Sequence, residues 1–472
     1  MRHLNRTLVV FTTVVVLAGL AIPAAAQAQD VSYLIIAEGN QLPKDLVSEI
    51  QARGGTIARS IPEIGILVAE APSPDFAAQI HDFPGIRAVV PNVELQWFVP
   101  GYREAVTVQT LNGLAEDDEF LAALQWGHIA VDAPGAWERG YRGAGARVAV
   151  LDSGFDLDHV DLYANVNFDL SANFTDETLL YSQSDVYSHG THVAGAIAAA
   201  DNGFGLLGVA PDAELVLTKV VRDDGSGTVA WLLAGIVKAV EAEADIINLS
   251  LGAALVRQGY QDAGTGQWVS AQQVTELVNA MSRATSYAYA QGTTVIAAAG
   301  DYARDGGPGT NPDDELLIHL PAEAESVLTV AATTPVGWAT GSPDVDLDTP
   351  TRYSNYGDSF VDLAAPGGGL SYAGEELCEV GVIVHDCFVF DLILSTGSDL
   401  EPGYASYYWA EGTGVAAAYA SGVAALIVSA HGGKLKPSLL DVALRQSSDD
   451  LGKPGRDDFY GYGRVNAGNY VK

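Results

Sequence analysis

The sequence predicts an α/β fold, a parallel β-sheet flanked by helices, preceded by a small α+β unit. From residue 125 onward, short apolar runs that are typical of buried strands alternate with longer helix-like stretches such as VAWLLAGIVKAVEAEA. The strand-like runs are RVAVLD, ELVLTKVV, ADIINLSLG, TTVIAAAG and VLTVAAT. This alternation is typical of βαβ units around a buried parallel sheet. Catalytic groups on such sheets tend to lie at the carboxyl ends of the strands.

The predicted α+β unit covers residues 32–99. It contains the strand-like YLIIA at 33–37, a helix-like stretch near 42–53, and the runs GILVAE and IRAVVPNVELQWF. Alternating side chains and intervening Gly and Pro breaks support strands joined by turns. The polar stretch 101–124 is predicted to be a linker. Polar, Gly-rich stretches near 254–270, 301–315 and 337–350 are predicted to be loop insertions.

The N-terminus has the organisation of a secretory signal peptide. Arg2 and Arg6 precede an apolar run from Leu8 to Ile22, and small residues follow at 24–28 with A-x-A cleavage patterns. We therefore expect residues 1–28 to direct export to the extracellular space or periplasm; a retained membrane anchor is the alternative. After residue 30 no stretch is apolar over the roughly 20 residues that a membrane span needs, so we expect no span in the mature chain.

The net charge and the cysteine count limit the binding partners and metal sites that this protein could have. With 24 Lys and Arg against 59 Asp and Glu, the net charge is −35, which disfavours nucleic acid and anionic lipid as partners. The acidity is compatible with a saline habitat or simply with a soluble exported surface. The two cysteines, Cys378 and Cys387, are too few for a cysteine-only metal site. In an oxidising compartment they are expected to form a disulfide, with two free thiols as the alternative.

Two motifs supply a candidate acid and a candidate base, the first at the end of a predicted strand and the second just before a predicted helix. In VAVLDSGFDLDHVDL, Asp152 ends a buried strand and enters a Gly turn, where a carboxylate can orient a histidine. In SHGTHVAGAIAAA, His189 precedes a helix of small residues, and its ring could accept a proton from a nucleophile. Either motif alone is a modest signal.

Six further segments make the combination specific: QWG, GLLGVAPDA, DDGSGT, INLSLG, VIAAAG and VDLAAPG. With Asp152 and His189 in that order, residues 125–470 resemble the subtilases, the subtilisin-like serine peptidases. The resemblance implies a subtilisin-like fold in residues 125–472 and makes Asp152 and His189 the acid and base of a catalytic triad. It also implies that residues 29–100 are an inhibitor-like propeptide that assists folding and then blocks the active site.

The nucleophile segment departs from the family pattern. Where subtilases read G-T-S-M-A-x-P, this chain reads GTGVAAAY, so that Gly414 takes the place of the serine and Ala418 that of the proline. Asp301 takes the place of the oxyanion-hole Asn, although a few active prohormone-processing relatives carry Asp there. An amide donates a hydrogen bond to the developing oxyanion, whereas an ionised carboxylate repels it.

The resemblance also implies a peptide-binding cleft and a cation site. Two edge segments match those that pair with an extended peptide by β-augmentation: Gly225, Ser226, Gly227 and Ser250, Leu251, Gly252. The alternative is that these segments are merely tight turns. A structural calcium site of oxygen ligands is implied at Gln125, Asp161, Ala200, Asn202, Phe204 and Leu206.

Three functions remain in view from the sequence. The first is an exported pseudopeptidase that binds a peptide or protein in the former substrate cleft, with its own propeptide as a further partner. The second is an active endopeptidase with a non-standard nucleophile, and the third is a scaffold whose groove is vestigial. We expect the protein to be a monomer.

Overall fold

The computed structural model describes residues 30–470, apart from 73–74, 107–119, 263–265, 304–316, 343–344, 373, 375, 382 and 400–404. The predicted signal peptide, residues 1–28, lies outside the described residues.

The N-terminal unit is an antiparallel sheet with two helices. The strands have the order β2-β3-β1-β4. They are β1 (Val31–Ala37), β2 (Thr56–Ile61), β3 (Ile66–Ala71) and β4 (Ile86–Pro91), and the helices are α1 (Leu46–Ala52) and α2 (Phe76–His81). The predicted α+β character is confirmed, but the sequence analysis did not identify β2 or α2.

Strand β1 is buried on both faces because alternate side chains enter two different cores. Tyr33 and Ile35 pack against α1 and α2, as the two-residue period of a strand requires. Leu34 and Ile36 point the other way and share a core with helices of the following domain. The N-terminal unit is therefore fixed to that domain by a continuous apolar interface.

The second domain is built on an eight-stranded, mostly parallel sheet. Its order is β18-β17-β15-β11-β7-β9-β8, with β19 also paired to β17. The antiparallel member is β18. The strands are β7 (Arg147–Asp152), β8 (Ala172–Asn173), β9 (Glu214–Lys219), β11 (Ile246–Leu249), β15 (Thr294–Ala298), β17 (Val327–Thr334), β18 (Thr349–Pro350) and β19 (Leu363–Pro366).

Helices cover both faces of this sheet. They are α3 (Trp126–Ala130), α4 (Ala133–Trp137), α5 (His189–Ala198), α6 (Val229–Glu241), α7 (Ala271–Gln291), α8 (Thr413–Ala430), α9 (Pro437–Ser447) and α10 (Ala467–Tyr470). Within the described residues, α8 is the helix long and apolar enough to cross a membrane, and 89% of it is buried in the protein interior. It is the central core helix of the domain.

Short strands surround the sheet. They are β5 (Glu94–Gln96), β6 (Arg103–Ala105), β10 (Ser226–Thr228), β12 (Ala253–Val256), β13 (Gly259–Gln261), β14 (Trp268–Ser270), β16 (Leu317–Leu320), β20 (Leu377–Val380), β21 (Ile383–Asp386), β22 (Ile393–Thr396) and β23 (Tyr407–Ala410). Cys378, in the β20–β21 hairpin, is joined to Cys387 by a disulfide with a Cα–Cα distance of 4.9 Å.

The α/β fold predicted from the strand and helix pattern is confirmed. Two stretches are more regular than the sequence analysis expected. The stretch near 254–270, predicted to be a loop insertion, contains β13 and β14, and part of the predicted linker forms β6. Both are short strands whose partners come from elsewhere in the fold or across a tight hairpin, so local pattern gave little signal.

Candidate active site

An acid and a base meet at the carboxyl end of the parallel sheet. Asp152 is the last residue of β7 and is fully buried, and His189 is the first residue of α5. The Nδ1 atom of His189 lies 2.7 Å from Oδ1 of Asp152. Ser188 accepts a hydrogen bond from the backbone N–H of Thr191 and so caps the helix that begins at His189. The ring is oriented by the carboxylate, which leaves Nε2 to face the cleft.

Gly414 lies directly opposite this nitrogen. A Cβ atom built on Gly414 would be 3.5 Å from Nε2 of His189 and 3.0 Å from the carbonyl oxygen of Ser250. A serine side chain would therefore project its hydroxyl toward the imidazole, in the arrangement of a nucleophile and its base. Gly414 thus stands where a side chain would face the imidazole, and it carries no hydroxyl.

A chain of polar side chains holds the start of α8 in place. Ser421 donates to Asn248 at 2.9 Å, Asn248 donates to Ser250 at 2.9 Å, and the Ser250 hydroxyl donates to the carbonyl oxygen of Gly414 at 2.6 Å. The Thr413 hydroxyl accepts a hydrogen bond from the backbone N–H of Gly300. The hydroxyls nearest to Gly414 are thus committed to holding the backbone.

Asp301 supports the first turn of α8. Its Oδ1 atom accepts a hydrogen bond from the backbone N–H of Thr413 at 2.9 Å, where a carboxylate also interacts favourably with the helix dipole. The side chain is exposed where it borders the cavity, and the surrounding protein partly desolvates the carboxyl group. This desolvation raises the pKa of Asp301, while hydrogen bonds from Thr413 and the nearby His189 charge act in the opposite direction.

A second carboxylate, Glu411, lies beside Asp301. Removal from bulk water is the main cause that raises the pKa of Glu411, and the charge of Asp301 raises it further. Between them is Gly412, whose φ of +153° and close approach to Asp301 favour glycine: a Cβ there would lie 3.3 Å from Oδ2 of Asp301. Two carboxylates, Asp301 and Glu411, thus lie side by side at this edge of the site.

A segment of the N-terminal unit, residues 94–105, runs across this site, and we call it the strap. Its first part, β5, pairs antiparallel with β10, so that Gln96 lies opposite Ser226 and Leu95 opposite Gly227. The backbone N–H of Trp97 donates to the carbonyl oxygen of Gly225 at 2.9 Å. This is β-augmentation of an edge strand by an extended segment.

Trp97 anchors the strap. Its indole is fully buried, and Nε1 donates to the carbonyl oxygen of Gly227 at 2.8 Å. The carbonyl oxygen of Trp97 accepts a hydrogen bond from the backbone N–H of Gly252 at 2.6 Å. The two predicted cleft segments thus both form hydrogen bonds to Trp97 of the strap. Leu251 is buried behind them, in the same hydrophobic core as Trp97.

The next side chain, Phe98, covers the base. Its ring stacks on that of His189 with a centroid distance of 4.2 Å and an interplanar angle of 10°. The strap then continues past the reaction centre: the backbone N–H of Tyr102 donates to Glu411 at 3.1 Å. Residues 103–105 form β6, which pairs antiparallel with β23, immediately before the Gly414 segment. The strap is held on both sides of His189.

Beneath the strap is a cavity of about 260 Å³. It is lined by residues of the strap, by the acid–base site, and by the wall at Gly252, Ala298 and Gly300. Val99 is among the lining residues and is nevertheless 67% exposed to solvent. The strap therefore passes over this cavity without filling it.

The residues of the predicted calcium site lie together around one loop. Gln125 exchanges two hydrogen bonds with the backbone of Leu207, and Asp161 accepts from the backbone N–H of Leu206 at 3.2 Å. Asn202 approaches Asp161 to 3.4 Å, and the backbone N–H of Ala200 donates to the carbonyl oxygen of Asp161. The oxygen of the Asn202 side chain accepts from Phe204.

By residue type this set offers a carboxylate and side-chain amides, the hard oxygen ligands that calcium prefers. In the structure the side-chain oxygens accept hydrogen bonds from the loop backbone and from Tyr407. The described residues contain no group of three or more His, Cys, Asp or Glu side chains that could hold a metal. A cation here would depend on the neutral oxygens of the loop. Tyr407, which donates to Asp161 at 2.9 Å, was not foreseen from the sequence.

Sequence reasoning also missed three site residues. Trp97, Phe98 and Glu411 contact the acid–base site or its rim, yet none belongs to a motif with catalytic chemistry. The aromatic pair lies at the end of the strand-like run IRAVVPNVELQWF. A bulky aromatic pair followed by Pro and Gly, at the junction of a propeptide-like unit and its linker, is the signal that could have drawn attention to them.

Comparison with known proteins identifies the family of this chain. The model of the subtilase family matches residues 143–463. Subtilisin NAT of Bacillus subtilis subsp. natto is 31% identical over 74% of this chain and 71% of that protein. The thermostable alkaline protease of Halalkalibacterium halodurans is 28% identical over 99% of both chains.

Solved structures share the fold. The epidermin leader peptide processing serine protease of Staphylococcus aureus superimposes with a TM-score of 0.70 at 20% identity, covering 94% of this chain and 98% of that one. Fervidolysin of Fervidobacterium pennivorans, a keratinolytic enzyme related to subtilisin, gives a TM-score of 0.63 at 23% identity, covering 95% of this chain and 62% of that one. The family match, the similar relatives and the fold together establish that this chain belongs to the subtilase family of subtilisin-like serine peptidases.

Proposed function

We propose that this chain is an exported pseudopeptidase that binds an extended peptide in the former substrate cleft. The observation that carries the proposal is the geometry at Gly414: the acid and base are in place, and a Cβ at this position would face Nε2 of His189 at 3.5 Å. A serine here would complete a triad. In its absence the site retains the apparatus for binding and lacks the group that attacks the peptide.

The magnitude of that loss supports a non-catalytic role. In subtilisin, removal of the nucleophile lowers turnover about 2 × 10⁶-fold, which corresponds to roughly 8–9 kcal/mol of barrier. The residual rate comes from the oxyanion hole and from binding, and here a carboxylate, Asp301, replaces the neutral donor of that hole. The hydroxyls of Thr413 and Ser250 bond the backbone instead.

The way the cleft holds the strap supports peptide binding. An extended segment pairs with β10, buries one aromatic side chain and stacks a second on His189. The main-chain hydrogen bonds would hold any extended peptide, and the Trp97 pocket would select its side chains. In the full chain the strap is the resident ligand. A peptide from another molecule enters after a second protease cuts the chain within 101–124 or after the strap opens.

The catalytic half of the proposal is tested with a fluorophosphonate probe and a peptide library. The wild-type chain is expected to be neither labelled nor hydrolytic, whereas Gly414→Ser should gain labelling. Gly414→Ala is the matched control for the added side chain, and Gly414→Ser/His189→Ala should lose the label. Hydrolysis by the wild type that disappears in His189→Ala would overturn the proposal.

The binding half uses a fluorescent peptide with the sequence of residues 92–106. Fluorescence polarisation should detect little binding to the wild type, because the tethered strap competes at a millimolar effective concentration. A Trp97→Ala/Phe98→Ala variant, whose strap lacks both aromatic anchors, should bind the same peptide. Absence of binding to this variant, with its fold intact by circular dichroism, would count against a peptide groove.

A further inference from the structure

The strap crosses the reaction centre between two fixed points. On one side the carbonyl oxygen of Trp97 is bonded to Gly252 and Phe98 covers His189. On the other side Arg103 pairs with Ala410 in the β6–β23 register. Residues 99–102, which we call the crossing, lie between these points and line the same cavity as His189 and Gly414.

The crossing has features that oppose cleavage. Val99, the first residue of the crossing, lines the cavity but is 67% exposed, so most of its surface is not held by the cleft. Gly101 lies so close to Glu411 that an added Cβ would be 2.9 Å from its Cγ. Between them stands Pro100, whose nitrogen carries a ring carbon in place of a hydrogen.

We propose that Pro100 makes the strap uncleavable, so that it would stay whole in the cleft even if a nucleophile were present. The inference relies on the proposed peptide groove for the path of the strap, and it is independent of whether the wild type is inactive. The missing serine and the proline would then be two separate obstacles to self-processing.

The chemistry explains the obstacle. In cleavage, a hydroxyl at position 414 would lose its proton to Nε2 of His189 while its oxygen attacked the carbonyl carbon of Val99. The bond from that carbon to the nitrogen of Pro100 would then break, with the proton passing from His189 to this nitrogen, and water would hydrolyse the ester. The nitrogen of Pro100 carries a ring carbon where other residues carry a hydrogen, which crowds the atom that His189 must protonate. Phe98 already covers one face of that imidazole. The fixed φ of proline also prevents the next bond from adopting an extended alignment freely.

The test uses the full chain with a repaired site. Gly414→Ser/Asp301→Asn supplies the hydroxyl and a neutral oxyanion donor, and the same chain with Pro100→Ala is compared with it. Fluorophosphonate labelling reports whether the introduced serine is activated, and intact mass spectrometry with N-terminal sequencing locates any cut. We expect both chains to be labelled, the first to remain whole between residues 98 and 101, and the second to be cut there at least tenfold faster, independently of protein concentration.

Two outcomes would overturn the proposal. One is cutting at the Val99–Pro100 or Pro100–Gly101 bond in the chain that keeps the proline, and the other is a labelled Pro100→Ala chain that stays whole. A second measurement covers the case in which neither chain is labelled. Synthetic peptides of residues 92–106, with Pro or Ala at position 100, are exposed to an active subtilisin; equal cleavage of the two peptides within 98–101 would refute the role of Pro100. Neither result decides whether the wild type is inactive, which is the separate question that the proposed function addresses.

Discussion

Trp97 is the residue whose removal should most directly release the strap. Its indole is fully buried and donates to Gly227. Truncation of a buried Trp to Ala costs about 3–5 kcal/mol in typical cores, including the loss of a hydrogen bond worth about 1 kcal/mol. If that loss falls on the open–closed equilibrium of the strap, Trp97→Ala should raise the open fraction about 10²- to 4 × 10³-fold, since 1.4 kcal/mol corresponds to a factor of ten.

Limited trypsin digestion measures the open fraction. Arg103 lies in β6, where its backbone is paired with Ala410, so cleavage after it requires the strap to leave the cleft. At low protease concentration the rate follows the population of the open form. We expect the fragment that ends at Arg103 to form about 10²-fold faster or more in Trp97→Ala, under conditions where both proteins remain folded.

The control is Trp268→Ala, because Trp268 is 64% exposed in β14 and remote from the strap. It should change the rate of cleavage after Arg103 by less than a factor of about 3, as surface substitutions usually change stability by no more than about 0.5 kcal/mol. A Trp97→Ala chain that is cut after Arg103 no faster than this control would refute the view that the strap is anchored by its aromatic residue and opens as a unit.

Three further predictions follow from the site and its surroundings. Calcium should raise the melting temperature and a chelator should lower it, because a site assembled at Gln125, Asp161 and Asn202 in the native state alone makes binding energy count as folding energy; equal midpoints would exclude the site. The free energy of unfolding of Asp301→Asn, relative to that of wild type, should rise as the pH increases from 3.8, the ordinary pKa of Asp. It should level off once the pH exceeds the raised pKa of Asp301 in the folded state. The sign follows because a group with a raised folded pKa binds its proton more tightly in the native state, so stability falls as both states ionise; a difference in unfolding free energy that does not vary with pH would contradict it. Non-reducing peptide mapping should recover Cys378 linked to Cys387, and a Cys378→Ser/Cys387→Ser chain should lose about 2–3 kcal/mol of stability; recovery of two free thiols from the unreduced protein would exclude the link.

The parts of the fold that follow from local pattern were predictable. Strands such as β7 and β11 are short apolar runs bounded by polar residues, and Asp152 and His189 stand at a strand end and a helix start, where the sequence placed them. The departure at Gly414 was visible because its neighbours Gly412 and Thr413 keep the family pattern. These features depend on residues close together in the chain, or on motifs specific enough to align without a structure.

What the sequence did not predict depends on contacts between distant segments. Asp301 was read only as an unfavourable substitute for an amide, and its role in supporting α8 became apparent from its bond to Thr413, 112 residues away. Likewise β6 looked like linker because three residues of mixed polarity carry no strand signal without their partner, β23. Pairing of this kind is selected by register and burial on the folded surface, which neither periodicity nor composition encodes.

The two substitutions at the site are physically related. An ionised carboxylate at position 301 would oppose the oxyanion of a reacting peptide, but it stabilises the N-terminus of α8 through Thr413. As long as a serine acts as nucleophile at position 414, repulsion between the Asp301 carboxylate and the oxyanion lowers the rate of peptide cleavage. Under the proposed function no oxyanion forms, and the hydrogen bond from Thr413 offsets part of the desolvation that raises the pKa of Asp301. On that proposal, loss of the nucleophile removes the constraint against Asp301. The neighbouring Glu411, which receives the backbone N–H of Tyr102, then belongs to a surface that serves to hold the strap rather than to polarise a carbonyl group.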